Sequence, residues 1–149
     1  MEQASTTPAS KSGLGYWLVA LLGLVWNAFG AADYTMTRLR STDWLKGAGD
    51  PQAILAWIDS FPLWAQIGWA LGVWGSVAGS LLMLARSRHA SSAFVVSLLG
   101  AIASFGYQFS HPPAGGSGFG GKIVPLVIVA VVVFFWQYCQ RALARGILR

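Results

Sequence analysis

LWAQIGWALGVWGSVAGSLLMLA, residues 63–85, carries no Asp, Glu, Lys, Arg or His. As a helix rising 1.5 Å per residue it would be about 34 Å long, enough to cross a hydrocarbon core of about 30 Å. Three more runs of the same character lie at Leu14–Ala32, Ala93–Phe109 and Ile123–Tyr138. In a chain of 149 residues, four such spans, one extended loop and two short tails leave no room for a separate soluble domain. Composition agrees: 55% of residues are hydrophobic and 10% charged, against about 25% charged in a soluble domain. The fold expected is all-α, a polytopic membrane protein with four transmembrane helices in a bundle.

Within residues 63–85, Gly68, Gly72, Gly75 and Gly79 follow steps of four, three and four. That spacing places them on one helix face, where small residues let a neighbouring backbone approach closely. The third span offers a matching small stripe of Ser97, Ala101 and Ser104, with Gly100 beside it. Only a few residues join these spans, so they must form an antiparallel hairpin. The Gly face is expected to meet span one or span three.

Outward from the hairpin, Asp50-Pro51 marks a helix start, an acidic N-cap followed by Pro at the first helical position. The segment after it sets Ile54, Trp57, Ile58 and Phe61 at helical spacing. It is too short to span, and is read as an extracytoplasmic amphipathic helix against lipid or the bundle. Tyr34–Leu45 contains no Pro or Gly, so the first helix is expected to continue outward until Gly47 and Gly49. The chain divides into a disordered tail (residues 1–12), the helical domain (13–142) and a basic tail (143–149). An N-terminal cleaved signal is disfavoured, because the apolar run is long and Trp26 and Asn27 interrupt the cleavage region. A weak echo between Ala20-Leu21-Leu22-Gly23 and Ser97-Leu98-Leu99-Gly100 is too short to establish a repeat. The fourth span, rich in Val, Ile and Phe with Pro125 in its first turn, reads as lipid-facing or purely structural.

The formal net charge of +5 is read as membrane orientation, with no nucleic-acid partner. With four spans, Lys11, Arg86, Arg88, Arg141, Arg145 and Arg149 share one side; Arg38, Arg40, Lys46 and Lys122 share the other. The excess favours both termini in the cytoplasm. One cysteine, Cys139, permits no intrachain disulfide and is read as a small apolar filler. His89 and His111 fall on opposite sides, so neither a metal site nor a cofactor is expected. The loop from His111 contains Gly116-x-Gly118-x-x-Gly121-Lys122, formally a nucleotide-binding pattern. It lacks the strand before it and the Ser/Thr after it that such a site needs, and reads as a linker. No catalytic constellation is present, and the chain is not expected to be an enzyme.

The segment WNAFGAADYTMT, residues 26–37, puts Asn27 inside the hydrocarbon and Asp33 at its edge. An intramembrane polar group needs a partner or a water-filled cavity. Counting rise per residue brings Trp69 and Ser104 to the depth of Asn27, with Asp33, Trp64, Tyr107 and Gln108 in a layer above. Asn27, Asp33, Trp69, Ser104 and Gln108 are therefore candidate solute-binding residues, suited to a small polar molecule such as a sugar. The competing account is helix packing: Asn27 and Ser104 bonding across helices, and Asp33 pairing with Arg38.

WNAFGAADYTMT, LAWIDSFPLWAQ from Leu55, GVWGSVAGS from Gly72, FGYQF from Phe105 and RGILR from Arg145 together resemble a group of small four-span bacterial inner-membrane proteins. Some members carry the loose label "sugar transporter". The resemblance implies an inner-membrane location and raises transport as an expectation, without site residues to carry over. Two function classes follow. One is binding or transport of a small polar solute, acting as a homodimer or larger assembly. The other is a non-catalytic accessory or scaffolding subunit that packs against other membrane subunits.

Overall fold

The computed structural model describes residues 12–116 and 118–149. They form six helices: α1 (Leu14–Arg38), α2 (Thr42–Leu45), α3 (Pro51–Asp59), α4 (Leu63–Leu84), α5 (Ala90–Ser110) and α6 (Gly118–Ala144). There is no strand among the described residues. Helices α1, α4, α5 and α6 are each long and apolar enough to cross a membrane. The protein is a four-span helical membrane bundle. The expected N-terminal tail lies outside the described residues except for Ser12.

The α4–α5 hairpin is the tightest unit, and its glycines explain why. A β-carbon at Gly100 would sit 2.6 Å from the Gly68 carbonyl oxygen and 2.7 Å from the Gly72 nitrogen. One at Gly75 would meet Ser97 at 3.0 Å, and one at Gly79 would strike the Phe94 ring at 2.8 Å. The Gly face of α4 therefore meets span three, at backbone-to-backbone range. Ser97, fully buried, donates its hydroxyl to the Gly72 carbonyl at 2.5 Å. Helix α1 packs on α4, and α6 packs on α5.

The two halves of the bundle differ. At the end holding the α4–α5 turn, Tyr16, Ala20, Met83, Phe94, Phe135, Cys139, Ile147 and Leu148 form a continuous core. Tyr16 donates to the Met83 carbonyl at 2.5 Å. Phe135 stacks on Phe94 and lies so close to Gly23 that a β-carbon there would be 2.7 Å from the ring. Tyr16 and Tyr138 stack across α1 and α6. Toward the other end α1 and α6 part, and Phe29 and Val124 are left 67% and 55% exposed.

Several boundaries differ from those expected. Helix α1 does extend outward, but it stops at Arg38 rather than at Gly47. Arg40 takes a left-handed conformation (φ 58°), and Ser41 N–H bonds back to the Met36 carbonyl. That closure completes a helix C-cap without glycine. Helix α6 starts five residues before the expected Ile123, so Gly118–Lys122 belongs to a helix rather than a linker. Pro125 then lies inside α6, not in its first turn. Residues 145–149 turn back at Gly146 (φ 68°) and dock. Arg149 N–H donates to the Arg86 carbonyl and Arg88 N–H to the Arg149 carbonyl, which buries Ile147 and Leu148.

The glycine contacts separate two chemically identical substitutions. Gly100→Ala should lower stability by about 1–3 kcal/mol, the usual cost of overpacking. Gly106→Ala, where a β-carbon meets nothing within 4 Å, should be neutral or stabilise by up to about 1 kcal/mol. Thermal unfolding of both variants in mild detergent checks this; equal behaviour would mean that the hairpin does not depend on close approach.

Candidate functional site

Where α1 and α6 part, the bundle encloses a cavity of about 660 Å³, a size typical of small-molecule sites. Every span contributes a wall. Helix α1 supplies Trp26, Asn27, Phe29, Gly30 and Asp33, and α4 supplies Trp69, Gly72, Val73 and Ser76. Helix α5 supplies Ala101, Ser104, Phe105 and Gln108, and α6 supplies Val124, Pro125, Ile128 and Val132. The five residues singled out as a polar layer, Asn27, Asp33, Trp69, Ser104 and Gln108, all line this one space. Trp64 and Tyr107, placed in the same layer by depth, do not. They turn into an aromatic cluster in which Tyr107 packs on Phe61, Trp64 and His111.

The polar groups are only partly engaged. Asn27, 6% exposed, donates its amide to the Ser80 hydroxyl at 2.8 Å and to the Ser76 carbonyl at 3.2 Å. It is therefore a clamp between α1 and α4. Its partners are Ser76 and Ser80, not Ser104. Both amide hydrogens are committed, and among the described residues its side-chain oxygen accepts no bond. Gln108 donates to the Ser104 hydroxyl at 3.1 Å, one turn away on the same helix, so this bond joins no two helices. Asp33 accepts from the Trp44 indole at 2.8 Å. It does not pair with Arg38, whose guanidinium donates to Gln66.

Pro125 adds a backbone group. It has no N–H to offer the carbonyl four residues earlier, and that carbonyl belongs to Gly121, which also lines the cavity. A wall read as lipid-facing or purely structural thus takes part in shaping the cavity.

Helix α3 roofs the cavity. Asp50 caps it by accepting from the Gln52 and Ala53 amides. Its apolar face goes against the bundle rather than lipid: Leu55 and Ile58, with Phe61 just past its end, are buried, and Trp57, Ile58 and Phe61 line the cavity. Two tethers hold the roof. The Trp57 indole donates to the His111 carbonyl at 2.8 Å, reaching the α5–α6 loop. At the other side Arg40 forms a two-pronged ion pair with Asp59 at 2.9 and 3.1 Å. Hydrogen bonding to Arg40 holds the Asp59 carboxyl below the usual carboxylate value, and the same bond raises Arg40.

Among the described residues no group of three or more His, Cys, Asp or Glu side chains could hold a metal. No protein family, curated protein or solved structure matches this chain.

Sequence reasoning missed Ser76 and Ser80, although their i, i+4 spacing on the span facing Asn27 was a usable signal. It also missed Pro125, whose mid-helix position depended on where α6 begins.

Asn27→Ala should cost about 1–3 kcal/mol, since it removes two interhelical bonds worth roughly 0.6–1.7 kcal/mol each in membrane proteins. Detergent unfolding of the single variant and of Asn27→Ala with Ser80→Ala should give less than additive losses. The Asp59 tether has a definite pH sign. A depressed folded pKa contributes stability above the unfolded value, about 3.9, and loses it as pH falls through the lower folded value. Both partners are exposed, so the effect is small and salt-sensitive. Amide exchange in α3, compared between wild type and Asp59→Asn, should differ near neutrality and converge in acid.

Proposed function

We propose that this membrane protein binds a small uncharged organic molecule within the bilayer and acts in its handling or transport. The observation that carries this reading is the gathering of Asn27, Asp33, Trp69, Ser104 and Gln108 around one cavity. Gln108 supports it most directly, because its one side-chain bond stays within its own helix. A glutamine placed near the outer part of a span, contributing nothing across helices, is poorly explained by packing. No Lys, Arg or His lines the cavity among the described residues, which disfavours an anion. The one lining carboxylate, Asp33, already accepts from the Trp44 indole, which favours a neutral ligand over a cation. The aromatic walls, Trp26, Trp57 and Trp69, suit a ring or chain with an apolar face.

The accessory-subunit reading drew its physical support from the α4 glycine stripe. That stripe is consumed by α5 within the chain, so it offers no face to a partner. The Lys/Arg distribution supports placing both termini in the cytoplasm, which would open the cavity in the outer half of the membrane.

The test compares binding with stability. Protein purified in lipid nanodiscs should carry a co-purifying small molecule, identified by native mass spectrometry. Gln108→Ala should remove that molecule while changing folding stability by no more than about 0.5 kcal/mol. Retention of the molecule in Gln108→Ala, or its absence from wild type, would overturn the reading.

A further inference from the structure

We infer that the ligand is a membrane-dissolved, uncharged amphiphile that enters sideways from the lipid, between α1 and α6. This rests on the proposed cavity site and specifies its substrate class and route. Three observations carry it.

The first is the seam. Near the α4–α5 turn, α1 and α6 are closed against each other by Phe135 over Gly23 and by the Tyr16–Tyr138 stack. Beside the cavity they are not. Trp26 and Phe29 on one rim, and Val124 and Val127 on the other, all line the cavity and are all exposed. A residue that is both lining and exposed stands at the mouth. Trp26 and Val127 lie inside the two apolar spans, with Phe29 and Val124 nearer their outer ends, so the mouth opens mainly to the outer part of the acyl region.

The second is the roof. Helix α3 covers the water-facing end, tied to the α5–α6 loop by Trp57 and to the end of α1 by Arg40–Asp59. The opposite end is filled by the packed core. The lateral seam is therefore the route that needs no element to move.

The third is the gradient of chemistry along that route. The rim side chains Trp26, Phe29, Val124 and Val127 are apolar. The polar groups that α1 brings are engaged within the protein, Asn27 by Ser76 and Ser80 and Asp33 by the Trp44 indole. Ser76, Ser104 and Gln108, by contrast, come from α4 and α5, the walls away from the mouth. An occupant entering head-first keeps an apolar body in the seam and brings its polar head to the inner wall. A free sugar would have to leave water, cross the acyl region and find partners for every hydroxyl, and unsatisfied polar groups there are costly. A single polar head on an apolar body meets the site's few groups without that penalty.

Gly30 gives a clean test. It lines the cavity, and a β-carbon there meets nothing within 4 Å, so a side chain at this position starts into open space at the entry. The full chain is placed in phosphatidylcholine vesicles containing a long-chain alcohol with a photoreactive diazirine midway along its alkyl chain, the part held in the seam. Cross-links should concentrate on residues 26–33 and 124–128, and excess unlabelled alcohol should compete them away. Gly30→Phe should cut this labelling by at least about tenfold, equivalent to about 1.4 kcal/mol of affinity. Gly106→Phe, equally unobstructed but off the cavity, should leave it intact. Competition in wild type provides a readout that does not depend on the variant folding. Labelling spread evenly over lipid-facing positions such as Leu71 and Leu99, or unchanged by Gly30→Phe, would overturn the lateral route. Glucose added from water serves as the second arm. If it binds in a Gln108-dependent way while the alcohol does not, the cavity reading stands and this inference fails. If neither binds, both fail.

Discussion

The close approach of α4 and α5 is the constraint on which the rest of the bundle depends. In lipid there is no hydrophobic force to press helices together, so association rests on packing and a few interhelical hydrogen bonds. Four glycines on α4 and one on α5 remove the side chains that would hold the backbones apart, and a β-carbon at Gly100 has no space at all. The hairpin becomes a fixed spine. Helices α1 and α6 then attach to its two flanks, α1 to α4 and α6 to α5, and how they meet each other is decided by side chains alone.

That arrangement makes a cavity almost inevitable at one end. Where large side chains face inward, as Tyr16, Phe94, Phe135 and Tyr138 do, the space between α1 and α6 is filled. Toward the other end the lining includes Gly30 on α1 and Pro125 and Ile128 on α6, which are too small or too stiff to reach across, while the large Trp26 and Phe29 stay exposed at the rim. Asn27 sits at the transition. Its two donated bonds fasten α1 to α4 and fix the level at which the solid core ends.

How much of this could be read in advance depended on whether the signal was local. The Gly68–Gly79 spacing, the Asp50-Pro51 cap and the four apolar runs are carried by neighbouring residues, and each gave the element found. The polar layer was also legible, because a fixed rise per residue converts sequence position into depth. Depth does not give azimuth, however. Trp64 and Tyr107 lie at the right level but point into the aromatic cluster with Phe61. The role of α6 was illegible for a different reason. A run of Val and Ile looks the same whether it faces lipid or a cavity, and the glycine-rich segment before it favours a loop although it forms the start of α6. The stop at Arg40 and the docked tail at Ile147 and Leu148 likewise depend on partners distant in sequence.

The two functions of the polar residues separate along the same line. Asn27 uses its donors across helices, so its presence is already explained by cohesion of the bundle. Ser104 and Gln108 bond to each other within one helix, where the backbone alone would hold the turn. Gln108 is half-buried near the outer end of its span, and no second helix engages its amide among the described residues. What its remaining hydrogen-bonding capacity faces is the cavity, which it lines. The structural case for a ligand therefore rests less on the size of the space than on a polar group whose intrachain bonds do not account for its position.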